Sequence, residues 1–151
     1  MIECETLDFL GGHIVVLQRR EDSEGGITIL EHRLAEGFSP PRHIHYDEEE
    51  TFVVLEGRLE MMLGNRTCEV AAGRSMRLPA GVEHCFKVVS SGGARTLTIT
   101  RGGFEAMVRA SSQPALPGSV PQLREPTPEA QRRLAEIASL NGIDLVGPPM
   151  A

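Results

Sequence analysis

Apolar and polar positions alternate along most of the first hundred residues, in short runs that stop at a glycine, a proline or a polar turn. A period of two lays one face of an extended strand against a core and the other toward solvent. The runs predict strands at 6–10, 13–18, 27–34, 51–55, 58–63, 66–70, 75–78, 84–89 and 95–101. β-Branched stretches such as Ile14-Val15-Val16 and the apolar Phe52-Val53-Val54-Leu55 strengthen them. Gly11-Gly12, Ala71-Ala72-Gly73 and Pro79-Ala80-Gly81 supply turns, and Gly64-Asn65 folds 58–70 into a hairpin. With the segment around His43, about ten short strands so punctuated predict an all-β sandwich or barrel.

The pattern changes after Gly102-Gly103. Residues 104–110 read as one or two helical turns, and 111–126, rich in proline, serine and glycine, as an irregular connection. One helix follows, with Thr127 as N-cap, Pro128 at the first helical position and Glu129 in the first turn. It runs to about Leu140, and Asn141-Gly142 stops it. Leu134, Ile137 and Ala138 form a stripe for packing against the outside of the barrel, with Leu140 near its edge; Gln131, Arg132, Arg133 and Glu136 form a solvated face. The expected organisation is a barrel over 1–110 and a C-terminal extension over 111–151 within the same domain.

Composition narrows the function. At 151 residues the chain is one domain large enough to enclose a core. A net charge of −6 argues against sequence-independent phosphate binding, and with no tryptophan and one tyrosine, Tyr46, there is little to stack on bases. No nucleic-acid partner is expected. The first residues are acidic, without a basic segment leading into an apolar one, and no apolar run approaches membrane-spanning length. The expectation is a cytoplasmic protein with no membrane partner. Cys4, Cys68 and Cys85 are odd in number and lack close pairing, so they read as reduced thiols.

Candidate chemistry concentrates between Gly37 and Gly57. His43 and His45 are two residues apart, so on a strand both imidazoles project from one face and reach one ion. Pro40 and Pro41 oppose a helix there. Glu48, Glu49 and Glu50 follow; a solvated loop accounts for most of this acidic run, and one of the three is a candidate ligand. His32 and His13 have no partner at ligand spacing and read as structural.

These residues carry a resemblance. Gly37, five residues, His43, one residue, His45, four residues, Glu50, six residues and Gly57 is similar to the first motif of the cupin superfamily. Gly73, five residues, Pro79, one residue, Gly81, two residues and His84 resembles most of the second, with fifteen residues between the motifs. The second motif usually closes on asparagine four residues after its histidine, where this chain has Val88. The tail, from Gly102-Gly103-Phe104-Glu105 through Thr127-Pro128-Glu129 to 141–149, looks like that of small bacterial single-domain cupins grouped with quercetin dioxygenase-like proteins.

The resemblance implies a conical, jelly-roll-like barrel of the double-stranded β-helix type with metal ligands His43, His45, Glu50 and His84. Glu50 is the acid that leaves six residues to Gly57, so Glu48 and Glu49 become loop acids. Three neutral imidazoles and one carboxylate suit a divalent transition metal, and iron, manganese, nickel, cobalt and zinc all remain open. Phe52, Val54, Met76, Phe86 and Val88 are expected to form an apolar pocket around it; Cys85 alternates away, Phe104 covers one mouth and Glu105 sits on the surface. The implied function is a metal-dependent oxidoreductase, dioxygenase-like, acting on a small chelating, enolic or aromatic substrate. The alternatives are a metal-dependent isomerase or lyase, a non-catalytic small-molecule-binding cupin and a metal-free structural barrel. A homodimer is expected, since cupins of this size commonly pair.

Overall fold

A computed structural model describes residues 4–151. In chain order its strands and helices are β1 (Thr6–Phe9), β2 (Gly12–Gln18), β3 (Thr28–Leu34), β4 (Arg42–His45), β5 (Glu50–Glu56), β6 (Arg58–Leu63), β7 (Arg66–Ala71), β8 (Ser75–Leu78), β9 (His84–Val88), β10 (Ala94–Thr100), α1 (Phe104–Ser111), β11 (Gln113–Pro114), α2 (Pro128–Leu140) and β12 (Ile143–Gly147). A single 3-10 turn, Arg20–Asp22, interrupts the polar loop after β2.

The strands form two antiparallel sheets, ordered β11-β1-β2-β3-β10-β5-β8 and β12-β4-β9-β6-β7. In each, a late strand lies between earlier ones: β10 between β3 and β5, and β9 between β4 and β6. The burial alternation read from the sequence is plain in β5 and β10, where Phe52, Val54, Thr96 and Thr98 point inward. One core cluster joins the sheets, with Leu34, Phe52, Val54 and Leu78 from the larger and Leu59, Met61, Val70, Phe86 and Val88 from the smaller. The expected all-β barrel with a C-terminal helix is therefore the fold.

A second cluster sits at one end. Phe9, Ile14, Val16 and Leu30 of the larger sheet meet Phe104, Met107 and Val108 of α1, Leu134 and Ala138 of α2, and Ile143 of β12. The α2 stripe, with the Thr127 side chain accepting from the Ala130 N–H at 3.1 Å as predicted, thus lies outside the barrel but over its mouth. Leu140 falls off the stripe and is exposed.

The C-terminal extension differs from expectation in two places. The connection 111–126 contains β11, which pairs Gln113 with Asp8 and Pro114 with Leu7 on β1. Residues 143–147, left without an element by the sequence pattern, form β12 beside β4, with Ile143 opposite His45 and Leu145 opposite His43.

Candidate metal centre

Extended backbone after Pro41 makes β4, and its alternation puts His43 and His45 on the inner face. His43 lies opposite His84, the first residue of β9, and Glu50 opens β5 in the facing sheet. The two motifs are tied through backbone. The Gly81 N–H donates to the His45 carbonyl (2.8 Å), and the Gly37 and Val88 N–H groups donate to the carbonyls of Val88 and Phe38 (both 2.9 Å). Val88, fully buried, holds this junction through its main chain and packs in the core with its side chain.

His43, His45, Glu50 and His84 each offer one ligand atom, all within 4.8 Å of one another. Ring centroids lie 4.4 Å apart for His43 and His84, 5.1 Å for His43 and His45, and 5.2 Å for His45 and His84. The hydrogen bonds select the tautomers. Nδ1 of His43 donates to the Pro41 carbonyl (2.7 Å), that of His84 to the Val82 carbonyl (3.3 Å) and that of His45 to the Glu48 carboxylate (3.3 Å). Each Nε2 is left with its lone pair free. Nε2 of His45 and His84 lie 3.2 and 3.3 Å from Glu50 Oε2, yet all three atoms are buried without a hydrogen-bond partner.

Orphaned buried polar atoms are costly and need a partner. A cation at metal–ligand distances of about 2.0–2.2 Å satisfies all of them, because octahedral ligands at that radius are separated by roughly 3–4.3 Å. The donor set therefore fits a divalent transition metal. The electrostatics agree. Burial alone would raise the Glu50 pKa, but His45, His84 and His43 together bring it down to about 2. Burial holds His43 down at about 3, assisted by His84 and His45. His45 is raised: burial opposes its charge, and the Glu50 and Glu48 carboxylates outweigh burial.

Glu48, expected as a solvated loop acid, is buried. Its carboxylate accepts from His45 and from the backbone N–H groups of Gly102 and Phe104 (both 3.0 Å), linking a metal-ligand candidate to the start of α1. Nothing in the local run Glu48-Glu49-Glu50 marks it, because its partners come from β10–α1. Glu49 is the solvated acid of the three, paired with exposed Arg77 at 3.0 Å. Glu105, also expected at the surface, is buried and accepts from the Arg20 N–H (2.9 Å) and the Thr28 hydroxyl (3.4 Å).

A cavity of about 50 Å³ adjoins the cluster. His43 and Glu50 border it at one side, and Phe52, Phe86, Phe104, Met107, Ile143 and Leu145 supply apolar walls. Of the expected pocket residues, Phe52 and Phe86 line it. Val54, Met76 and Val88 do not; they belong to the core cluster, where Val54 and Val88 are fully buried and Met76 packs at the edge. Cys85 faces away, its thiol donating to the Pro40 carbonyl at 3.0 Å. His32, read as structural, also borders the cavity, between Phe104 (centroids 6.1 Å) and Phe52 (6.3 Å), and burial lowers its pKa to about 4.

Residues 30–100 match the family model described as "Cupin domain". Solved structures agree in fold. A predicted oxalate decarboxylase from Thermotoga maritima is 19% identical with a TM-score of 0.58, covering 66% of this chain and 92% of its own. KdgF from Halomonas sp. is 13% identical with a TM-score of 0.53, over 60% and 81%. An oxalate oxidase is 21% identical with a TM-score of 0.53, over 61% and 51%. No curated protein gives a significant sequence match.

Proposed function

Because residues 30–100 match the cupin domain model and the fold agrees with cupin structures, we propose that the chain is a cupin and a metal-dependent oxidoreductase, dioxygenase-like, acting on a small chelating substrate. The observation that carries this is the convergence of buried, unpartnered His45 Nε2, His84 Nε2 and Glu50 Oε2, with His43 beside them. His43, His45, Glu50 and His84 hold the ion. When bound with two coordination positions open, such an ion supplies Lewis acidity and a place for dioxygen and substrate to meet.

The chain's own residues do the rest. The carbonyls of Pro41 and Val82 and the Glu48 carboxylate orient the three imidazoles. Phe52, Phe86, Phe104 and Met107 keep bulk water from the reacting face. Size selects the substrate. The cavity beside the cluster is about 50 Å³. A short oxygenated chelate suits that volume; a fused aromatic substrate requires α1 and α2 to lift from the mouth.

Metal analysis of protein purified without chelator, beside His84→Ala, tests the site. About one iron, manganese, nickel or cobalt per chain, lost in the variant, supports it, and oxygen uptake with small enolic and α-hydroxy acids then separates an oxygenase from an isomerase or lyase. Absence of metal in both, even after reconstitution, overturns it. The same proposal includes a cytoplasmic homodimer formed through the outer face of the larger sheet, where half-buried Ile29, Val53, Leu97 and Ile99 lie on adjacent strands, Leu97 beside Val53 and Ile99 beside Ile29.

A further inference from the structure

Apart from His43 and Glu50, the cavity presents a single polar side chain, His32. It is 6% exposed. One ring nitrogen, Nε2, lies 2.8 Å from the Thr98 hydroxyl, and Nδ1 has no hydrogen-bond partner among the described residues. The ring is fixed on both sides by Phe52 and Phe104, and Phe104 is also 5.4 Å from His45, so His32 and the metal-ligand candidates border one space. A purely structural histidine would have both nitrogens satisfied or would face a packed core. This one borders a cavity whose other polar side chains, among the described residues, are His43 and Glu50.

We propose that His32 is a substrate-binding residue, whose free ring nitrogen donates a hydrogen bond to the uncoordinated carboxylate oxygen of a small α-oxygenated monocarboxylate. The proposal rests on the metal-centre assignment above and deepens it by naming the ligand class. A divalent ion with one carboxylate and three neutral imidazoles carries a net charge of about +1, which one carboxylate balances. A dianion would leave a buried charge uncompensated, because among the described residues His32 is the one further polar side chain lining the cavity, with no arginine or lysine there. The small cavity, about 50 Å³, favours a short ligand.

The test uses cobalt(II)-reconstituted protein titrated with lactate, whose uncoordinated carboxylate oxygen is the proposed partner of His32, and with azide, which has no carboxylate. Visible absorption follows binding, and wild type, His32→Phe and His32→Gln are compared. The expected result is equal cobalt content in all three, lactate Kd raised about tenfold or more in His32→Phe, substantial recovery in His32→Gln, and azide Kd unchanged. Unchanged lactate affinity in His32→Phe overturns the assignment, as does equal weakening of lactate and azide, which marks a structural role. Failure of lactate to bind the cobalt-loaded wild type overturns the ligand class and the proposal with it. Failure of the wild type to take cobalt overturns the metal centre itself, a result distinct from the other three.

Discussion

Glu48 does more than its neighbours suggest. One carboxylate satisfies a proposed ligand histidine and two backbone donors at the start of α1. Glu48→Ala leaves three donors unpaired, two of them buried and each of those worth about 1–3 kcal/mol, and is expected to weaken metal binding about 10- to 100-fold in competition with a chelator. Glu48→Gln, which keeps an acceptor, should lose less. Gly57 is constrained differently: its φ is +81°, and a Cβ there would lie 2.5 Å from the Gly93 carbonyl oxygen. Gly57→Ala is therefore expected to cost more than about 1 kcal/mol in urea unfolding. The clustering of the four proposed ligands was legible because each sits at a fixed motif spacing on short strands of the two sheets. Glu48 was not, because its backbone partners are 54 and 56 residues away. That His32 borders the cavity was not legible for the same kind of reason. Strand alternation shows that it points inward, but only the arrival of Phe104 from α1 shows that it meets a cavity.

At the scale of elements, the barrel strands and α2 were legible from alternation and capping, since both signals are local. β11 and β12 were not. Gln113-Pro114 and Ile143–Gly147 are strands only because the β1 and β4 edges are there to receive them. Alone, each is too short to reveal a period. Both strands belong to the extension that also carries α2, so the segment after β10 completes both sheets and covers the cavity between them. Ile143 is 1% exposed, in the cluster with Phe104 and Leu134, and lies opposite His45. Ile143→Ala is expected to destabilise the protein by about 2–5 kcal/mol in denaturant unfolding. It should also raise the rate at which a chelator strips the metal, because it thins the wall behind β4.

The whole molecule responds to acid through its buried imidazoles. His32 is held at about 4, below the ordinary 6.5, so between those values the unfolded chain binds the proton that the folded one refuses. Stability of the metal-free protein should fall as pH falls from about 6.5 to 4, with His32 contributing on the order of 3 kcal/mol and His43 acting in the same direction. Thermal melts across that range should show a shallower slope in His32→Gln. At the proposed dimer face, Leu97→Arg is expected to give monomers by light scattering while leaving the cavity residues in place. The topology bears on how such a protein is made. A chain growing from its N-terminus has all four proposed ligands by residue 84, but β12, the strand beside β4, only at residue 147. No nascent chain short of that point holds a walled site, so the proposed metal is expected to be held only once β12 has emerged, and a ribosome-bound chain stalled before β12 should leave its histidines open to any competing ion.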